Sequence, residues 1–434
     1  MLAAPSPPSA LSRPARRFRV LSVAAHPVQY ASANYREMAR HPRFDLKVAY
    51  CSLRGAEPAL DPEFGTTVQW DIPLLDGYDW VYVPNRGNGG GSFWGLWNPG
   101  LWKLVRSYSF DVLICLTSYQ RASFWLCYFA ARSRDIPFFF ITDASSFEPR
   151  EPRPWKLFLK RLLWPRLFRL ASQAIVVSTP GREMMQSLGI PEERIALIHN
   201  TVDNQRWISA SDAVDRAAVR ASLHIDRDAP VIVFCAKLQP WKRPLDLLRA
   251  FAKASIPRSV LLIAGEGPSR ANLEAEAATL GLGGRVLFLG FVNQSKLPAI
   301  YTASDLMVLP SQYEPFGLVV NEAMLCGCPV VVSDKVGAAR DLVSPVAPDF
   351  IFPHCDVDAL ATTLQRAFAD PVRLHSLRHA VRARMETWSP KDNVAAVLSA
   401  VERAHALRRR TSEASLAQEP DPGTSSGDSH EVSR

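Results

Sequence analysis

Short apolar, β-branched runs alternate with helical patterns along most of this chain, and that rhythm restricts the fold more than any other feature. The first half carries "FRVLSVAA", "LKVAYCS", "DVLICLT", "PFFFITD", "AIVVST" and "RIALIH"; the second carries "PVIVFCAKL", "SVLLIAGEG", "RVLFLGFV", "DLMVLPS" and "PVVVSD". Continuous apolar runs of roughly four to eight residues, bounded by helices, read as buried parallel strands in βαβ units. A single open sheet holding all of them would be unusual, so two sheets are expected. The polar segment "HNTVDNQRWISASDAVDR" interrupts the rhythm near mid-chain and marks a linker. The expected fold class is α/β, with two Rossmann-like domains facing across a cleft. The first domain spans 17–200, the linker 201–214 and the second domain 215–385. Ligands of such sheets sit at the carboxyl ends of the strands, beside helix N-termini, so the interdomain cleft is the expected active site.

The segment "YEPFGLVVNEAMLCGCPVVVSD" places two glutamates eight positions apart on that edge. The strand "DLMVLPS" delivers Glu314 to its exit loop. A helix follows from about Phe316, ending at Gly327 and Pro329. The free N–H groups around Phe316, Gly317 and Leu318 carry roughly half a positive charge, which suits a phosphate. Glu322 falls about two turns further on, within reach of a polyol beside that phosphate. Two carboxylates bracketing a diphosphate suit a sugar on one side and a ribose on the other. The same spacing also fits a plain first-turn acid followed by an exposed helix acid. In "FCAKLQPWKRPLDLLRAFAKA", Lys237 ends a strand and Lys242 precedes a helix. Paired cations there would stabilise a departing diphosphate without a metal; they also fit two solvated loop lysines.

Several chemistries lack their signals. "LLIAGEGPSR" is an incomplete GxGxxG because Arg270 takes the last position, and no glycine follows the first strand, which weakens a dehydrogenase reading. GxxxxGK[ST] is absent, and the sequence shows neither a DxD-type carboxylate pair that would hold Mg²⁺ on a nucleotide nor a zinc-spaced cluster.

Taken together, "SQYEPFGLVVNEAMLCGCPVVVSDKVGAARDLV", "HNTVDNQRW", "AKLQPWKRPLDLLRAF" and "LLIAGEGP" resemble the retaining glycosyltransferases of family 4, which have the GT-B fold. The resemblance is specific from about 175 to 365 and looser from 18 to 150. It implies a metal-independent hexosyltransferase with no cofactor beyond its substrate, a nucleotide-diphospho-sugar expected to be UDP- or GDP-linked. Glu314 would contact the donor sugar and support charge at the anomeric centre. Glu322 would hydrogen-bond the ribose, the N–H groups of Gly317 and Leu318 would hold the distal phosphate, and Lys237 and Lys242 would grip the diphosphate. The family often has arginine at the first lysine position; lysine keeps the charge but loses the bidentate fork. The resemblance also implies a last helix, 386–407, that crosses back to the first domain.

The N-terminal half departs more from the family. His26 stands where the first strand ends, and it would touch phosphate or acceptor; a histidine satisfied by a backbone carbonyl is the other reading. Tyr119, Gln120 or Asp143 would occupy the space near the sugar where the family often has a histidine. In "PRPWKLFLKRLLWPRLFRLASQ", basic residues from Arg153 to Arg169 interleave with Trp155, Phe158, Leu159, Leu162, Leu163 and Trp164. This reads as an amphipathic helix at 153–170 that docks on an anionic membrane surface, or else as a core-facing helix with a solvated basic side. Leu159, Leu163, Leu167 and Leu170 share one of its faces. A glycan or lipid-linked acceptor follows from docking, and no nucleic-acid module is readable.

The charge of +8 suits contact with anions, and seven scattered cysteines with no CxxC pair suit reduced thiols and a cytoplasmic setting. No apolar run reaches the ~18–20 residues of a membrane span. Residues 1–16 read as a disordered leader and 408–434 as a disordered tail. Asn293-Gln294-Ser295 fits a glycosylation acceptor pattern of no consequence in such a setting. His375 and His379, four apart amid arginines, read as a solvated helix face. Two rivals remain: another GT-B enzyme, such as a nucleotide-sugar epimerase or phosphorylase, and a non-catalytic membrane-associated scaffold.

Overall fold

The computed structural model describes residues 16–61, 66–145 and 154–416. Nearly all of the expected leader, the last eighteen residues of the expected tail (417–434) and Arg153 lie outside these. The first sheet has seven parallel strands. They are β1 (Phe18–Ala24), β2 (Phe44–Tyr50), β5 (Asp79–Tyr82), β6 (Val112–Leu116), β7 (Phe138–Thr142), β8 (Gln173–Val176) and β9 (Ile195–Leu197). A small antiparallel hairpin, β3 (Ala59–Asp61) with β4 (Thr66–Val68), lies between β2 and β5 in the chain. The second sheet has six parallel strands: β10 (Val231–Cys235), β11 (Val260–Ala264), β12 (Val286–Gly290), β13 (Leu306–Leu309), β14 (Val330–Ser333) and β15 (Ile351–Phe352). The spatial orders are β5-β2-β1-β6-β7-β8-β9 and β12-β11-β10-β13-β14-β15.

Right-handed crossovers then set which face of each sheet a connecting helix covers. The direction in which successive strands are added reverses between β1 and β6 in the first sheet, and between β10 and β13 in the second. The exits of those strand pairs are therefore the natural ligand crevices. The central strands of the second sheet are apolar because helices cover both faces. Val231, Ile232, Val233 and Phe234 of β10 are all fully buried, as are Leu306 to Leu309 of β13. Burying such a side chain contributes roughly 1.5–3 kcal/mol each.

The polar mid-chain segment is not the open linker the sequence suggests. Asp203 caps a helix, Asn204–Asp212, by accepting from the Arg206 N–H at 3.2 Å. That helix buries Trp207 in the second domain's core. The crossing is confined to the stretch just before it. There Asn393 binds both the N–H and the C=O of His199, at 2.6 and 2.7 Å, while His199 stacks on Trp388 with centroids 3.8 Å apart. The final helix, Pro390–Leu416, lies against the first domain. Val394, Val397, Ala400 and Val401 join its core, and His405 stacks on Phe18.

Candidate active site

A cleft of about 770 Å³ separates the domains at the carboxyl edges of both sheets. Because β10 and β13 are neighbours, the loop after β10 and the loop after β13 leave the sheet side by side. The first carries Lys237 and Lys242; the second carries Glu314. The Gln312 N–H donates to the Trp241 C=O at 2.8 Å and holds the two loops together. Lys242 and Glu314 form an ion pair with side chains only 17% and 11% exposed. Lys237, Lys242, Glu314, Gly317, Leu318 and Glu322 all line the cleft.

Gly317 caps the helix Leu318–Leu325 with φ +95°, a conformation that favours glycine. A Cβ there would also meet Leu309, Glu314 and Val336 atoms at 3.1–3.3 Å. The stretch Ser333-Asp334-Lys335-Val336-Gly337 braces this mouth from behind. The Gly337 N–H donates to the Glu314 C=O at 3.0 Å, and a Cβ on Gly337 would lie 2.0 Å from the Pro315 oxygen. Phe316 is different: its side chain is buried and stacks on Trp388 with centroids 6.1 Å apart, and it does not line the cleft as Gly317 and Leu318 do. The glycines of "GEGP" serve packing. Cβ atoms on Gly265 and Gly267 would strike the Ala236 and Leu238 carbonyls at 2.0 and 2.8 Å, against the loop that carries Lys237.

Glu322 is not an exposed helix acid. It is 6% exposed, on the cleft floor, accepting from Tyr301 Oη at 3.1 Å and Gln294 Nε2 at 3.3 Å. Burial pushes its carboxyl up to about 7, against the lowering effect of the two hydrogen bonds and of the Arg206 guanidinium. Arg206 in turn donates to the Gln294 C=O at 2.9 Å and lines the cleft. Sequence reasoning missed Arg206 because the segment read as a linker.

The opposite wall comes from the first domain. His26 follows β1 and is exposed, but Gln29 and Tyr30, just beyond it, are the side chains that line the cleft. Arg36 also lines it and pairs with Asp203 at 3.1 Å. Tyr119 is engaged elsewhere: its hydroxyl accepts from Trp164 Nε1 at 3.1 Å. Asp143 is exposed beyond β7. At one margin of the cleft the domains touch directly. Asn293 Nδ2 donates to the Gln69 C=O at 2.7 Å, the Ser295 N–H donates to Asp71 at 3.1 Å, and Trp70 faces Phe291 at 6.1 Å. The apparent glycosylation triplet thus does two jobs. Asn293 and Ser295 clasp the first domain while Gln294 holds Glu322.

Among the described residues no three His, Cys, Asp or Glu side chains converge as a metal cluster. Cys326 and Cys328 are buried and free, and His375 and His379 are exposed on their helix.

This arrangement, two parallel-sheet domains with a cleft at their facing carboxyl edges, is the GT-B architecture. Anabaena HepE in complex with UDP-glucose shares it at a TM-score of 0.64 and 20% identity, covering 88% of this chain and all of that one. The model for glycosyl transferases group 1 matches residues 215–386, and the model for glycosyltransferase family 4 matches 33–206. The chain belongs to this glycosyltransferase family. Its sequence is similar to the D-inositol 3-phosphate glycosyltransferase of Mycolicibacterium gilvum, 38% identical over 41% of this chain and 40% of the relative. It is similar also to the 2-deoxystreptamine glucosyltransferase of Streptomyces kanamyceticus, 31% identical over 47% and 53%. The chain spans about half the length of these relatives.

Proposed function

We propose that this protein transfers a hexosyl unit from a nucleotide-diphospho-sugar to a glycan or lipid-linked acceptor, with retention of anomeric configuration. The observation that carries this reading is the meeting of four groups in one cleft: the Lys242–Glu314 pair, Lys237, the helix N-terminus at Gly317 and the buried Glu322. The diphosphate sits against the N–H groups of Gly317 and Leu318, with Lys237 and Lys242 neutralising the charge that grows as the glycosidic bond breaks. Glu314, released from Lys242 when phosphate takes that cation, faces the anomeric carbon and supports its positive charge. Glu322 accepts from the ribose hydroxyls. Retention follows from departure and attack on one face, with the diphosphate oxygen helping to remove the acceptor proton. HepE, whose structure holds UDP-glucose, supports a uridine donor. The setting we favour is synthesis of surface polysaccharide or glycolipid in the cytoplasm.

The test is nucleoside diphosphate release from a panel of donors, with and without acceptors, followed by proton NMR of the product. Release that needs acceptor, and an anomeric coupling constant matching the donor's, is the expected result. Release without acceptor would favour hydrolysis or epimerisation. An inverted product would remove the retaining assignment.

A further inference from the structure

One face of the first domain is built unlike the rest. Helices Gly100–Ser107, Ala122–Arg132 and Pro154–Arg169 join β5 to β6, β6 to β7 and β7 to β8, each step in the same direction across the sheet. Right-handed crossovers place all three on one side. Their inner residues, such as Leu101, Phe124 and Phe168, share a single core. The last helix turns Trp164 and Phe168 inward, whereas Leu159 and Leu163, on the other face of the sequence pattern, are 40% and 53% exposed. No aspartate or glutamate occurs in any of the three helices, while lysine or arginine occurs in each.

The outer side also holds large aromatic rings in water. Trp155 is 59% exposed, Phe158 68%, Phe129 55% and Trp102 39%. The loop before Gly100 adds Trp94 at 61% and Phe93 at 42%, packed edge to face at 5.1 Å. This loop is folded tightly on itself. Asn85 binds the Trp97 N–H at 2.8 Å and the Gly95 C=O at 2.9 Å, and Arg121 binds the Gly90 and Ser92 carbonyls at 2.7 and 2.6 Å. Cβ atoms at Gly87 or Gly95 would lie about 2 Å from the opposing carbonyls of the same loop. Trp94 is therefore held outward by a rigid frame. Trp94, Trp102, Trp155 and Phe158 stand near the N-terminal ends of helices that follow strand exits, which is the sheet edge that opens on the cleft.

We propose that this face, whose three helices carry no aspartate or glutamate, docks from the Trp94 loop across those helices on an anionic lipid bilayer and presents the cleft to an acceptor carried in that bilayer. Amphipathic aromatic rings settle at the headgroup level, and interleaved cations add attraction to anionic lipid. The assignment of the acceptor rests on the transferase reading above. The docking itself does not.

The test is flotation of the full chain with phosphatidylcholine vesicles, with and without phosphatidylglycerol. Three proteins are compared: wild type, Trp94→Glu, and the double variant Trp155→Glu with Phe158→Glu. Wild type should float with the anionic vesicles only, and each variant should partition about tenfold less or worse. UDP-induced thermal stabilisation, which reads the second domain, should be the same in all three. Wild type left in solution, variants that float equally, a preference for single-stranded RNA over vesicles, or a dimer that Trp94→Glu dissolves would each overturn the proposal. Loss of the UDP response alone would instead count against a uridine donor.

Discussion

Replacing Glu314 with alanine is expected to lower kcat by at least ~10²–10³-fold, the effect of removing one preorganised group aimed at transition-state charge. Nucleotide affinity should change only a few-fold, because Lys237, Lys242 and the helix N-terminus remain. The two effects separate because of where Glu314 stands. In the free enzyme it pairs with Lys242 across neighbouring strand exits, largely screened from water. On the proposed reading it does not hold the nucleotide but stands beside the cation assigned to it. Steady-state kinetics with a titration of the nucleoside diphosphate decides the matter. Turnover near the wild-type value would reject the assigned role. A variant that loses nucleotide binding as well as turnover would move Glu314 into the donor-binding set.

Glu322→Gln should stabilise the free protein and weaken the nucleotide. The folded carboxyl titrates at about 7, above its ordinary 4.5, because burial penalises the charged form. A raised acid contributes stability that is complete below the unfolded value and lost as pH rises through the folded one. Neutral glutamine escapes that loss. At ~1.4 kcal/mol per pKa unit, its advantage over wild type should grow by about 2–3 kcal/mol between mildly acidic and mildly alkaline pH. Urea unfolding of the second domain on both sides of neutrality measures it. Affinity should move the other way. On the proposed reading ribose hydroxyls donate to the ionised form, so wild-type affinity should rise with pH up to about 7 and then level off. The glutamine variant should lose that slope and bind about 10–100-fold more weakly in the alkaline range, as expected for lost hydrogen bonds to a charged group. A wild-type affinity that does not vary with pH would remove Glu322 from the ribose.

How much of this was legible in the sequence depends on how local each feature is. Glu314, Gly317 and Leu318 sit in one strand-loop-helix unit, so spacing alone puts them at a helix mouth. The strands of the two large sheets were readable as apolar runs, apart from β5 and β15, whose apolar stretches, 80–83 and 350–352, are short. The state of Glu322 was not readable. Its enclosure depends on Tyr301, from a different helix, and on Gln294, from a loop that the triplet pattern described only as a glycosylation signal. Arg206 was hidden because a polar segment looks like a linker until Asp203 is seen to cap a helix there and Trp207 to anchor it. In the basic helix the sequence grouped Leu159 with Leu163 and Leu167. The fold instead buries the aromatic pair Trp164 and Phe168, because these complete a cluster with Phe140 across the sheet face. His26 was placed correctly at a strand exit, but the chain turns there, and Gln29 and Tyr30 reach the cleft in its place.

Calorimetric titration with UDP, GDP, ADP and their common sugar conjugates, in EDTA, tests the donor site most directly. One nucleotide series should bind with a single site per chain, without divalent metal, and with proton release near neutral pH as Glu322 ionises against the ribose. At about 100 times its dissociation constant that ligand should add ~2.7 kcal/mol to stability. Heat from none of the three series would contradict a nucleotide-diphospho-sugar site in this cleft.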